Sequence, residues 1–100
     1  MIKIVKIINI DASSIICQLS DDSIRSLNLT PILAKHSHLN GIEKLKDINY
    51  LKKAKIGVFG EITWSKTITS SSGEIWDYDI SPEYVDAMGE LISDNVNMAS

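Results

Sequence analysis

The chain is short of the features that build crosslinked, membrane-spanning or DNA-wrapping proteins. Cys17 is the single cysteine among 100 residues. No internal disulfide can form, which suits a reducing compartment. The longest apolar stretch, the opening MIKIVKIINI, is broken by Lys3 and Lys6. It has neither a signal-peptide core with a cleavage site nor the length of a membrane span. The expectation is a cytoplasmic protein without a membrane partner. Positive charge is not in excess: ten Lys/Arg stand against thirteen Asp/Glu, a net charge of −3. A dedicated DNA binder usually carries a basic footprint, so the balance argues against DNA. There is no phosphate-cradling loop, because Gly57 and Gly60 lack the lysine and helix start that such loops need. His36 and His38 have no second cysteine, HExxH motif or carboxylate triplet beside them. No metal and no cofactor are expected.

What is present is globular. The composition is 44% hydrophobic and 23% charged, which excludes wholesale disorder. A chain of this size buries roughly 60–70% of its unfolded surface, enough for one modest core. One α+β domain is expected over residues 1–93, with a short flexible tail at 94–100.

Periodicity supplies the elements. Residues 2–10 are β-branched with imperfect alternation, as in a strand with a bulge or two buried faces. SIICQL at 14–19 and IRSLNL at 24–29 flank SDDS and predict a hairpin. Thr30-Pro31 opens a short helical turn, and Ile42, Leu45, Ile48 and Leu51 predict two more, with Asp47 capping the second. Strands follow near 54–59 and 61–69. A second hairpin turns on Ser71-Ser72-Gly73, with Gly73 at the left-handed position. That register sets Ile68 opposite Trp76, Lys66 opposite Tyr78 and Trp64 opposite Ile80, and gathers Ile62, Trp64, Ile68, Trp76, Tyr78 and Ile80 on one face.

Strand then passes into helix. In EIWDYDISPEYV, Trp76, Tyr78 and Ile80 alternate with Asp77 and Asp79, Ser81 is a good N-cap, Pro82 suits the first helical position, and Glu83 suits the positive end of the helix. Ile80 and Val85 can form a hydrophobic staple. A helix to residue 93 would bury Tyr84, Val85, Met88, Leu91 and Ile92 on one stripe. The fold expected is an antiparallel β-meander of about five strands with short helical turns and a C-terminal amphipathic helix.

These motifs, in this order, resemble the small bacterial family catalogued as domain of unknown function 2442. Its most specific segment matches Gly73, Ile75, Trp76, Asp79, Ile80, Ser81, Pro82 and Glu83, within a likeness over roughly residues 2–88. The chain departs from the family where Asp22-Ser23 replaces Asp-Gly and where Asn28-Leu29-Thr30-Pro31 replaces Asp-Leu-Ser-Pro. Trp64 and Trp76 both fit the family tryptophan, with an insertion near 65–74. The resemblance implies an α+β domain with a meandering sheet and carries no catalytic residues. Some relatives look like modules followed by a helix-turn-helix domain, for which this chain ends too soon after its last helix.

Charge is unevenly placed. Residues 1–60 sum to +4 and residues 61–100 to −7. Lys44, Lys46, Lys52, Lys53 and Lys55 could touch phosphates, but only Tyr50 offers an aromatic ring among them. Glu83, Asp86, Glu90 and Asp94 recur at three or four positions and would form an acidic stripe on the last helix. For both groups a solvated face is the favoured reading. Asp77 and Asp79 lie two apart, the spacing of a carboxylate pair on one strand face, and are read as structural. The expected function is a non-enzymatic protein-interaction or regulatory domain, antitoxin-like in kind, contacting another protein or a second copy through the acidic stripe. A nucleic-acid-associated accessory protein using residues 44–55 is one alternative. A small enzyme with an unrecognised site is the other, and a pocket joining Trp76, Asp79 and a histidine would favour it.

Overall fold

Alternation in IWDYDI does produce a strand, Ile75–Ile80, and the turn before it and the helix start after it follow from equally local signals. The structure, a computed structural model, describes residues 1–94. Strands β1 (Ile4–Ile10), β2 (Ser14–Leu19) and β3 (Ser23–Asn28) form an antiparallel meander. Helix α1 (Thr30–Lys35), a 3-10 turn (Ile42–Lys46) and helix α2 (Ile48–Leu51) lead to β4 (Lys55–Ile56), β5 (Ile62–Thr69) and β6 (Ile75–Ile80). Helix α3 (Pro82–Met88) and strand β7 (Glu90–Asp94) close the described chain. One sheet has the order β1-β2-β3-β7 and the other β4-β5-β6, so the α+β class holds, with seven strands in two sheets among the described residues rather than about five in one meander.

Both sheets feed one core. Ile15, Cys17 and Leu19 point inward from alternate positions of β2, and meet Ile62, Trp64, Tyr78 and Ile80 from the second sheet. Burying each such large apolar side chain contributes ~1.5–3 kcal/mol relative to leaving it in water. Trp64 also donates its indole N–H to the Leu51 carbonyl at 3.0 Å, which satisfies the one polar atom the ring brings inside and pins α2. The Ile4 amide donates to the Gly60 carbonyl at 2.9 Å and joins the sheets at their N-terminal edge. Register shifts between Ile4 and Lys6 and between Ile7 and Asn9 explain why β1 fails to alternate.

Several expectations hold atom by atom. Gly73 has φ 89°, the left-handed value its loop requires. Asp47 accepts from the Asn49 amide at 3.0 Å and caps α2. Ser81 accepts from the Tyr84 amide at 3.1 Å and caps α3, with Pro82 at the first helical position. The first hairpin forms between β2 and β3 as expected, and its turn adds a feature not expected: Asp22 takes φ 71° while Asp21 accepts from the Ser23 amide and hydroxyl.

Two expectations are corrected. The second hairpin starts as read, with Ile68 opposite Trp76, but then pairs Trp64 with Tyr78 and Ile62 with Ile80. Three β5 residues, Ser65 to Thr67, stand against Asp77 alone. Lys66 turns to φ 52°, and its amide donates to the Asp77 carboxylate at 2.9 Å, which holds the bulge. Two extra residues preserve the period of two, so Ile62, Trp64, Ile68, Tyr78 and Ile80 stay inward while the register slips, and Trp76 of the expected face lies 56% exposed at the edge. The last helix is the second correction. It stops at Met88, and Gly89, with ψ 141°, turns the chain into β7 alongside β3. A side chain at Gly89 would crowd the Val85 carbonyl and Arg25 Cβ. The open edge of β3 offers backbone partners that a longer helix would leave unpaired. Val85 is buried as expected, whereas Met88, Leu91 and Ile92 are at least half exposed. Of the expected tail, Asp94 closes β7, and residues 95–100 lie outside the described residues.

Candidate functional site along strand β6

Strand β6 is the edge of its sheet. Among the described residues no strand pairs with its free side, and no backbone hydrogen bond outside the ladder involves residues 75–80. Period two places Trp76, Tyr78 and Ile80 on the face turned toward α1 and the loop after it. Two cavities border that face. One, of about 330 Å³, lies between α1 and the end of β6, among Ile32, Lys35, His36, Tyr78, Asp79 and Tyr84. The other, of about 530 Å³, is bordered by His38, Leu39, Ile68, Ser71 and Trp76. Each is large enough for an aliphatic side chain.

The boundary between the cavities is polar. The Tyr78 hydroxyl and His36 Nδ1 lie 2.7 Å apart, and the two rings meet edge to face. Burial pushes the Tyr78 phenol up to about 12, with Tyr84 and then Asp79 adding to the rise. Either the phenol donates to an unprotonated Nδ1 or an Nδ1–H donates to the phenol oxygen, and the tautomer of His36 decides which. His36 and His38 sit with ring centroids 6.3 Å apart, but His36 spends one nitrogen on Tyr78. Among the described residues no three His, Cys, Asp or Glu side chains cluster as metal ligands would.

The residues singled out from sequence fall in three places. Trp76 borders the site, half exposed, while Asp79 lies at the mouth of the first cavity. Gly73, Ser81 and Pro82 shape the turn before β6 and the helix start after it. Glu83, Asp86, Glu90 and Asp94 do not form one helical stripe: Glu83 and Asp86 are on α3, and Glu90 and Asp94 are on β7. The Asp86 carboxylate lies 3.5 Å from the Arg25 guanidinium inside the domain. The physical reason is the helix end at Gly89, which breaks the spacing of three and four.

The lysine-rich segment is engaged locally. Lys44 and Lys53 hold their ammonium groups 5.9 and 5.2 Å from the Tyr50 ring centroid, so the one aromatic ring there is already met by two cations. Tyr50 also lies 2.8 Å from the Thr67 hydroxyl. Cys17 is fully buried, and burial pushes its thiol up to about 11, the opposite of an activated nucleophile. Sequence reasoning missed the His36–Tyr78 contact and the open side of β6, because neither has a local signal. It also missed the Gly57–Glu61 turn, where Val58 and Phe59 stand 87% and 75% exposed while the Glu61 carboxylate accepts from the Phe59 amide. Comparison of the chain with protein-family models, with curated proteins and with solved structures gave no match.

Proposed function

We propose that the chain is a non-enzymatic protein-interaction domain of a regulatory, antitoxin-like kind. One observation carries the reading: the unpaired edge of β6 is bordered by two cavities on the face that carries Trp76. An open edge is a template for another strand, and a half-exposed tryptophan beside a pocket is the residue type that dominates interface energetics. The test is affinity capture from the native cell with the tagged wild type and with Trp76→Glu. Trp76 is 56% exposed, so the variant should keep its denaturation midpoint while losing the captured partner. Retention of the same proteins by both forms would overturn the assignment of β6 as the contact.

The enzyme reading has one observation in its favour, the shared cavity of His36 and Asp79. It gains ground if a substrate analogue perturbs the His36 ring in an NMR titration. The accessory role on nucleic acid has less support, because Tyr50 is met by Lys44 and Lys53 rather than left open for a base. Salt-dependent retardation of single-stranded RNA, lost in Lys52→Gln/Lys53→Gln, would restore it. We also read the chain as a relative of the domain of unknown function 2442 family, on the matched segment from Gly73 to Glu83. An experimental family structure lacking the hairpin–cap–helix arrangement of β5, β6 and α3 would refute that relation.

A further inference from the structure

We infer that the partner segment taken up by β6 is an extended strand in which basic residues alternate with apolar or small ones, with two bulky apolar side chains four positions apart. The inference rests on the interaction reading above and names the chemistry of the partner.

Spacing comes first. The two cavities border β6 at Trp76 and at Tyr78 to Ser81. Residues 76 and 80 are four positions apart, ~13 Å along a strand. In an added strand, side chains i, i+2 and i+4 share a face. Positions i and i+4 can therefore enter the cavities. Position i+2 then falls over the His36–Tyr78 contact, which fills the space between them, so it must be small. Lys35 and Asp79 both border the first cavity, so their charges offset one another and its apolar walls, Ile32, Ile80 and Tyr84, set the preference there.

Charge follows from the opposite face. Asp77 and Asp79 occupy the alternate positions of β6, and Glu74 precedes the strand. Asp77 accepts the Lys66 amide with one oxygen, and its side chain stays exposed. Residues i+1 and i+3 of an added strand lie beside these carboxylates, so lysine or arginine fits there. The same acids argue against β6 of a second copy. Antiparallel pairing centred on Tyr78 would set Asp77 against Asp79 of the other chain, and like charges directly opposite are destabilising. The edge is thus guarded against itself and open to a basic strand.

The probe is an acetylated, amidated heptapeptide with leucine second and sixth, serine fourth and lysine elsewhere. Three controls accompany it: glutamate in place of every lysine, leucines moved to second and fourth, and proline in place of the serine. Trp76 is 56% exposed and Trp64 only 1%, so a fluorescence change on titration reports Trp76. Amide shifts in 75–80 give a second readout. The lysine peptide should saturate, the glutamate peptide should bind at least ~10-fold more weakly, and the shifted and proline peptides should each lose affinity several-fold. Asp79→Asn should weaken the lysine peptide about twofold to fivefold, the range for an exposed pair. Equal binding of the lysine and glutamate peptides would overturn the charge assignment, and equal binding of the shifted peptide would overturn the spacing. If no peptide binds while Trp76-dependent capture from the cell persists, the strand chemistry is refuted and the interaction reading stands. If both fail, both readings fall.

Discussion

At the scale of single residues, two side chains carry most of what is specific about the strand-to-helix exit. Ser81 accepts from the Tyr84 amide, one of the donors that a helix start leaves without an intrahelical partner. Ser81→Ala should lower stability by about 1 kcal/mol, read as a shifted denaturant midpoint with unchanged slope. Ser81→Asp should recover most of that loss, because another capping acceptor replaces the hydroxyl. Tyr78 is the second. Its folded phenol is raised to about 12, against an ordinary value near 10. For a group whose folded pKa lies above the unfolded one, the contribution is fully present below the unfolded value. It is lost as pH rises through the folded value. Stability should therefore fall between about pH 10 and pH 12, and ultraviolet titration should resolve one of the three tyrosines near the upper limit. Tyr78→Phe should flatten that part of the profile, at a neutral-pH cost of about 1 kcal/mol for the hydrogen bond to His36.

At the scale of elements, the legible parts of the fold were those set by near neighbours in the chain. The caps at Asp47 and Ser81, the left-handed Gly73 and the period of two in β6 each depend on residues within four positions. The candidate site was half legible. Trp76 and Asp79 stood out as types on a strand, but the partner of Tyr78 is residue 36, 42 positions away, and the edge position of β6 follows from the strand order of its sheet. Strand β7 was illegible for a related reason. Leu91 and Ile92 continue a helical stripe as well as they fit a strand, and the open edge of β3 decides between the two. The hairpin slip has an equally specific cause, the Asp77 carboxylate that receives the Lys66 amide. Asp77→Ala removes that acceptor while Lys66 still holds φ 52°. The expected loss is about 1–2 kcal/mol, checked by chemical denaturation. Amide exchange should quicken at residues 65–67 and stay slow at Ile62 and Trp64, because pairing below the bulge does not depend on Asp77.

At the scale of the whole molecule, the question is what ties the acidic C-terminal part to the rest. The Arg25 guanidinium, on β3, donates to the Gly89 carbonyl at 3.2 Å and lies 3.5 Å from Asp86. It thus meets α3 and the turn into β7 from the first sheet. The two contacts differ in kind. Gly89 offers a backbone carbonyl at a helix end, where acceptors lack intrahelical partners, and the donor is charged. Asp86 is 44% exposed, so water and salt screen its pairing with Arg25, and exposed pairs contribute only ~0.2–1 kcal/mol. Arg25→Gln should therefore cost more than Asp86→Asn, about 1–2 kcal/mol against less than about 1. Only the smaller loss should shrink further when 1 M sodium chloride is added, since the Debye length then falls to about 3 Å. Glu83→Gln and Glu90→Gln have no such partner among the described residues, and together should move the midpoint within about 0.5 kcal/mol. The three-way comparison separates acids that hold the fold from acids that stand in solvent. If Asp86→Asn proves as harmless as Glu83→Gln while Arg25→Gln is still costly, the Gly89 carbonyl alone makes the tie.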